Sequence, residues 1–345
     1  MRKLVVAGVC LVLLYCCGQT AKQPVNKAFE WQSHLSGYHF FEGALKQLQP
    51  RNGVTGYDLA TPLFTDYTHK SRFIALPKDS VIRYNGAGLP EFPDSTFIIK
   101  NFAFLQPDHQ LKLIETRILF KDPADHSWRV MNYLWNEAQT DAEQWISGKR
   151  VPVTFLDDNG NEHTTTYQVP NTNDCKRCHI NNSILTPIGP KVRNLNFTRK
   201  GADMNQLAQF ASAGILKGLP SADSIARLPV WTDSVSFSVS ERARAYLDVN
   251  CAHCHIRGGD AYNTGLFLDY EHTAATPGVM KEPVSAGGGA GGLNYDVIPG
   301  DAKHSILVYR MNSTEPGTAM PELARTVIHK EGVALITQWV NGLKK

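Results

Sequence analysis

Two hydrophobic periods divide the chain. Between about residues 60 and 170, "STFIIKNFAFL", "LKLIETRILF", "WRVMNYLW" and "VPVTFLDDNGNEHTTTYQV" alternate apolar and polar positions, with Pro and Gly in the intervals. That two-residue period predicts half-buried strands. The last segment predicts a hairpin about Asn159 and Gly160, residues that accept the backbone angles of a tight turn. This region therefore predicts a β-rich sandwich or barrel. Farther along, the period lengthens, and "ADMNQLAQFASA" predicts a helix from about Asp203 to Ala213. In "SVSERARAYLDVN", Ser238 stands three residues before Glu241 as a capping box, with Ala243, Tyr246 and Leu247 following at helical spacing. "EGVALITQWVNGL" aligns Val333, Ile336, Trp339, Val340 and Leu343 along one face of a terminal helix. In "YLWNEAQTDAEQW", Glu137 and Asp141 fall at i,i+4 spacing, which reads as a solvated helix face rather than an acid–base pair, and Trp135 and Trp145 read as packing residues.

At 345 residues the chain is long enough for two or three domains. Lys plus Arg exceed Asp plus Glu by three, and by one without Arg2 and Lys3, so the balance is not that of a nucleic-acid binder. Arg2 and Lys3 precede an apolar run from Leu4 to Leu14, the layout of an export signal and too short to span a bilayer comfortably. Cys16 or Cys17 sits where a bacterial lipoprotein signal places its lipidated cysteine. The expectation is a periplasmic protein, anchored by lipid to a membrane of a Gram-negative bacterium.

Removing Cys10, Cys16 and Cys17 with the signal leaves four of seven cysteines, in two pairs: "CKRCH" (Cys175, Cys178, His179) and "CAHCH" (Cys251, Cys254, His255). CxxCH is the signature of c-type haem attachment, in which both thiols form thioethers to the porphyrin and the histidine ligates iron. A zinc site would need both pairs to converge and would leave both histidines idle. A redox dithiol would need a βαβ context that the flanks lack. Two covalent haems are therefore expected, and export agrees with them because c-type haem is attached outside the cytoplasmic membrane. His253, inside the second motif, is expected to point away from the metal.

Downstream, "PGTAMPEL" places Met320 before Pro321 in a Gly- and Pro-rich loop ahead of the terminal helix. With this loop and "CAHCH", residues from about 236 to 345 resemble a class I cytochrome c. The resemblance implies an all-α fold around one haem with His255 and Met320 as axial ligands. "GGGAGG", Gly287 to Gly292, satisfies GxGxxG without the strand and helix that a dinucleotide site needs, and reads as a flexible insertion near the haem edge. Over the whole mature chain, "TPLFTDYTHKSRF", "ETRILF", "YLWNEAQTDA", "CKRCHINNSILTPIGPKVRNLN" and "CAHCH" resemble a family of bacterial two-haem c-type cytochromes, with a β-rich region ahead of the haem segments. The expected organisation is a signal at 1–17, a β-rich domain at 28–172, a first haem-binding segment at 173–235 and the cytochrome domain at 236–345.

No helix is expected to lead into Cys175. The ligand opposite His179 is open: Met204 is the nearest downstream methionine, and Met131, His69, His109, His126 and His163 are alternatives, as is an empty position. Two low-spin haems passing electrons to a redox partner protein is the leading expectation. An open first iron would favour a two-haem peroxidase or oxidase, and a surface binding protein with ancillary haems is the third reading.

Overall fold

Six antiparallel strands make the central sheet of the computed structural model, which describes residues 29–271, 276–284 and 286–344. They are β1 (Val54–Gly56), β2 (His69–Ala75), β3 (Phe97–Leu105), β4 (Leu111–Lys121), β5 (Trp128–Trp135) and β6 (Ala142–Trp145), paired in that order. A hairpin of β7 (Lys149–Leu156) and β8 (Glu162–Val169) turns about Asn159 and Gly160, as the alternation predicts. It packs on the sheet through Phe155 and Tyr167 against Phe104. The segment expected to put Glu137 and Asp141 on a helix is instead the turn between β5 and β6. There Glu137 pairs with Lys112 at 2.7 Å, and Asp141 accepts a hydrogen bond from Ser36 at 2.5 Å.

Alternation gives the sheet two buried faces. Phe73, Ile99, Ile118 and Met131 lie on one, covered by the segment holding Leu35, Phe40 and Phe41. Ile74, Ile98, Leu119 and Val130 lie on the other, covered by Val192, Leu195, Leu207 and Phe210. These last residues belong to α2 (Val192–Leu195) and α3 (Gln206–Ser212), which follow α1 (Thr172–His179). The rest of the helical part is α4 (Val239–Asn250), α5 (Ile306–Met311) and α6 (Lys330–Gly342).

The α4 capping box is present, with Ser238 Oγ accepting from the Glu241 amide and Glu241 accepting from the Ser238 amide. Ile336, Trp339 and Val340 of α6 pack on Ala243, Tyr246 and Leu247 of α4. The expected multidomain architecture ending in an all-α class I cytochrome c domain is nevertheless incorrect. Strand makes up 25% of the chain and helix 23%, only four of six helices reach seven residues, and no all-α domain is evident among the described residues. Residues 31–345 form one compact unit, so the boundaries expected near 172 and 235 fall inside it. The reason is visible in α4, where every residue from Ala243 to Asn250 is buried. A helix buried on all sides cannot be the surface helix of a small independent bundle. Its far side meets Leu228 and Leu63, and Asp248 receives the side chain of Arg193.

That contact joins the two halves. The Arg193 guanidinium, 1% exposed, donates two hydrogen bonds to Asp248 at 2.8 and 2.9 Å and also meets Glu271. Beside it, Asn194 exchanges hydrogen bonds with the Thr61 backbone, and Asn250 accepts from the Phe64 amide. The expected export signal, with Cys16 and Cys17, lies outside the described residues. Among the described residues no helix is long and apolar enough to cross a membrane.

Replacing Arg193 with Met should remove the two short hydrogen bonds of buried Asp248, leaving it Lys191 at 3.8 Å and the Tyr270 amide at 3.0 Å, and cost about 3 kcal/mol. Chemical denaturation of the two proteins measures the difference, and a loss below about 1 kcal/mol would show that the pair does not hold the halves together.

Candidate functional site

Each CxxCH is placed by a different local device. "CKRCH" occupies α1, contrary to the expectation that no helix leads into Cys175. The signal was present in the sequence: Asn171 caps the helix by accepting from the Asn173 and Asp174 amides, and Asp174 accepts from the Asn171 amide in return. This is a capping box with Asp in place of the usual Glu. "CAHCH" begins where α4 ends: Cys251 is the C-cap, and the motif continues as turns in which the Cys254 and His255 amides both donate to the Cys251 carbonyl.

Both motifs line one cavity of about 620 Å³, together with Met320. Its walls include Leu59, Leu89, Ile98, Leu119 and Val130 from the β-rich part and Val249 from α4. A smaller cavity of about 70 Å³ reaches Cys251, His255, Met311 and Met320 from another side. Arg177 of α1 bridges the motifs, pairing with Asp260 at 2.9 Å and Glu322 at 3.3 Å.

The two motif histidines are prepared alike. His179 Nδ1 donates to the Thr186 carbonyl at 2.9 Å, and His255 Nδ1 donates to the Leu266 carbonyl at 3.2 Å. Burial pushes both imidazoles down to about 4, so near neutral pH each is uncharged. A neutral imidazole whose Nδ1–H is bound to a carbonyl keeps its Nε2 lone pair for a metal, and the carbonyl fixes the ring orientation. Burial raises the Cys175 thiol to about 11 and the Cys251 thiol to about 12.

Cys178, His253 and Cys254 approach one another, their ligand atoms all within 4.8 Å. His253 thus lies between the motifs, contrary to the expectation that it points away, and its buried Nδ1 has no hydrogen-bond partner. Hydrogen bonding from Cys254 and the nearby His253 lower the Cys178 thiol, while Cys254 itself is raised. Three ligand atoms fall one short of the four protein ligands that a structural zinc site uses. They would also leave Cys175, Cys251, His179 and His255 without a role. The full donor set, two cysteine pairs each followed by a neutral histidine on an apolar cavity, fits covalently attached haem with His179 and His255 as iron ligands.

Among the expected sulfur ligands, Met320 lines the cavity and its amide donates to the Arg310 carbonyl. Met311, buried and lining both cavities, is a second thioether that the sequence reading passed over. Its helical spacing made it resemble core filler. Met204 is 48% exposed and outside the cavity lining, so the structure does not bring it to His179. The alternatives also lie elsewhere. Met131 is buried on the opposite face of the sheet, His69 and His109 are exposed, His126 pairs with Asp94, and His163 pairs with Asp157. The other cavity-lining histidines are His253 and His329, and His329 Nδ1 is engaged with the Tyr246 hydroxyl at 2.9 Å. "GGGAGG" supplies a short 3-10 turn over Gly287–Ala290, with the preceding Ala286 at the smaller cavity.

The loop carrying Met320 is tied to the β-rich part by Asp66. Its carboxylate accepts from the Thr326 and Val327 amides at 2.7 and 3.1 Å and from Thr326 Oγ1 at 2.8 Å. No known protein family matches the chain, and neither a curated protein nor a solved structure matches it significantly.

Replacing Asp66 with Ala should leave those donors unsatisfied and cost about 1–3 kcal/mol. Hydrogen exchange of the amides in 318–328 should accelerate, and unchanged protection there would show that the loop is held by other contacts.

Proposed function

We propose that this chain is an exported two-haem c-type cytochrome that transfers electrons to or from a redox partner protein, and that it belongs with the bacterial two-haem cytochromes its motifs resemble. The observation that carries the reading is the convergence of both CxxCH motifs on one cavity, each histidine neutral and oriented by a backbone carbonyl. Haem, when bound, supplies reversible one-electron chemistry. The protein's part is attachment, ligation and exclusion of water. Cys175 with Cys178, and Cys251 with Cys254, provide the thioether sulfurs. His179 and His255 would provide Nε2, and Met320 would provide a soft thioether ligand. Cys178 and Cys254 place one attachment sulfur from each motif within 4.8 Å of the other, so the two motifs would hold their groups at neighbouring attachment points. The lipid anchor at Cys16 or Cys17 and the periplasmic location belong to the same proposal and rest on the N-terminal signal pattern.

A second reading, a two-haem peroxidase or oxidase, has one observation in its favour: Met204, Met131, His69, His109, His126 and His163 all lie off the cavity. If neither His253 nor His329 moves to the iron of the first motif, that iron stays open to a small ligand.

Spectra of the exported, reduced protein with and without carbon monoxide separate the two. The electron-transfer reading predicts two low-spin haems unaltered by the gas; one haem that binds it and turns over peroxide supports the enzyme instead. Changing Cys175 and Cys178 together to Ala should lower covalent haem from two per chain to one, and an unchanged count by haem staining would contradict the attachment site. Met320→Ala should lower the potential of the second haem or leave it high-spin, whereas an unchanged spectrum would transfer the role to Met311.

A further inference from the structure

The sheet presents an unusual charge row to the cavity. Arg72 of β2 is the direct cross-strand partner of Lys100 of β3, and Lys100 is in turn the partner of Arg117 of β4. Directly paired residues of antiparallel strands project from the same face, so two guanidiniums and the Lys100 amine stand side by side. Burial and the neighbouring Arg72, Lys70 and Arg117 hold Lys100 well below the usual lysine range until an anion offsets them. Arg72, Lys100 and Arg117 line the large cavity. Like charges placed opposite one another in a sheet are destabilising, and burial adds to the cost.

The row is under-neutralised by the protein. Arg117 is matched by Glu115 through two hydrogen bonds, and Glu115 also accepts from the Tyr167 hydroxyl, so that carboxylate is fully used. Arg72 is 6% exposed, and among the described residues its Nε has no hydrogen-bond partner and its side chain makes one hydrogen bond, from Nη1 to the Lys70 carbonyl at 3.3 Å. Lys100 Nζ rests over the Phe102 ring at 4.8 Å and, among the described residues, has no carboxylate within ion-pair distance. The carboxylates that line the same cavity have other partners: Asp174 caps α1, Asp248 holds Arg193, and Asp260 and Glu322 hold Arg177. Lys70, next along β2, is pushed down to about 7 by burial and by Arg72 and Arg117, which reports the same crowding. The row lies on the wall of the first motif: Cys175 packs in one cluster with Ile74, Ile98 and Leu119, which sit two residues from Arg72, Lys100 and Arg117 on the same face of their strands.

We propose that Arg72 and Lys100 form an anion site for the propionate carboxylates of the haem held by Cys175, Cys178 and His179, and that their charge raises its reduction potential. This rests on the two-haem reading above. A guanidinium offers a planar fork to a carboxylate and an ammonium offers a point charge, so the pair suits two carboxylates on one edge of a ligand. Positive charge near the iron favours the reduced state, which carries one positive charge fewer. Loss of a cation therefore lowers the potential.

The test is a spectroelectrochemical titration of the exported holoprotein, with wild type compared with Lys100→Met, Lys100→Arg and Arg72→Gln. Met keeps the length and apolar stem of Lys100 and removes a like charge from the row, so this variant is expected to fold. The proposal predicts two covalent haems in every variant, a lower midpoint for one haem in Lys100→Met and Arg72→Gln, an unmoved midpoint for the other, and wild-type behaviour in Lys100→Arg. Both midpoints unmoved in Lys100→Met, with haem content intact, would overturn the propionate assignment alone. A wild-type midpoint that tracks added inorganic phosphate, with the dependence lost in Lys100→Met, would assign the row to a diffusible anion and overturn the assignment too. Wild-type protein without covalent haem would overturn the two-haem reading itself.

Discussion

A buried ion pair holds this architecture together. Arg193 and Asp248 are each about 2% exposed at their side chains, and their hydrogen bonds connect the segment after the first CxxCH to the helix before the second. Two charges removed from water contribute little net stability, but removing either one would leave the other, buried, with a weaker set of partners: Lys191 for Asp248 and Glu271 for Arg193. Their value is therefore in specificity: α4 reaches its burial only where Asp248 finds Arg193. The same docking brings Cys178 and Cys254, 76 residues apart in sequence (254 minus 178), to within 4.8 Å. The larger cavity is lined from both sides of this contact.

Much of the fold is legible in local pattern, because strands of a buried sheet and helices with a capped apolar face carry their periods in neighbouring residues. The runs around Ile98, Ile118 and Met131, the hairpin at Asn159 and Gly160, and the Ser238 and Glu241 box are read directly. What escapes is decided by distant partners. Arg193 resembles any other charged residue in the sequence, and nothing in its vicinity announces Asp248. That is why the C-terminal part reads as a separate all-α domain, although α4 has no solvent-facing side from Ala243 to Asn250. The missed helix α1 has a different cause: its cap uses Asn171 and Asp174 in place of the commoner Ser and Glu.

The site divides in the same way. The six residues of the two CxxCH motifs are identifiable from short spacing and Met320 from its loop and the resemblance to a cytochrome c, and all seven meet on the cavity. The carbonyls of Thr186 and Leu266 that orient the histidines are backbone groups with no sequence signature. Met204 looked eligible because it is near in sequence, yet the turn before α3 carries it to the surface. The charge row was legible only in register: Arg72, Lys100 and Arg117 come from three strands and become neighbours through pairing. A sheet that tolerates such a row beside an apolar cavity is arranged for an anionic guest rather than for packing alone.

Peptide mapping of the exported protein by mass spectrometry tests the central claim most directly. The account predicts one haem linked to the peptide containing Cys175 and Cys178, another linked to the peptide containing Cys251 and Cys254, and no free thiol at these four positions. Recovery of all four cysteines as unmodified thiols, with or without a bound zinc ion, would contradict it.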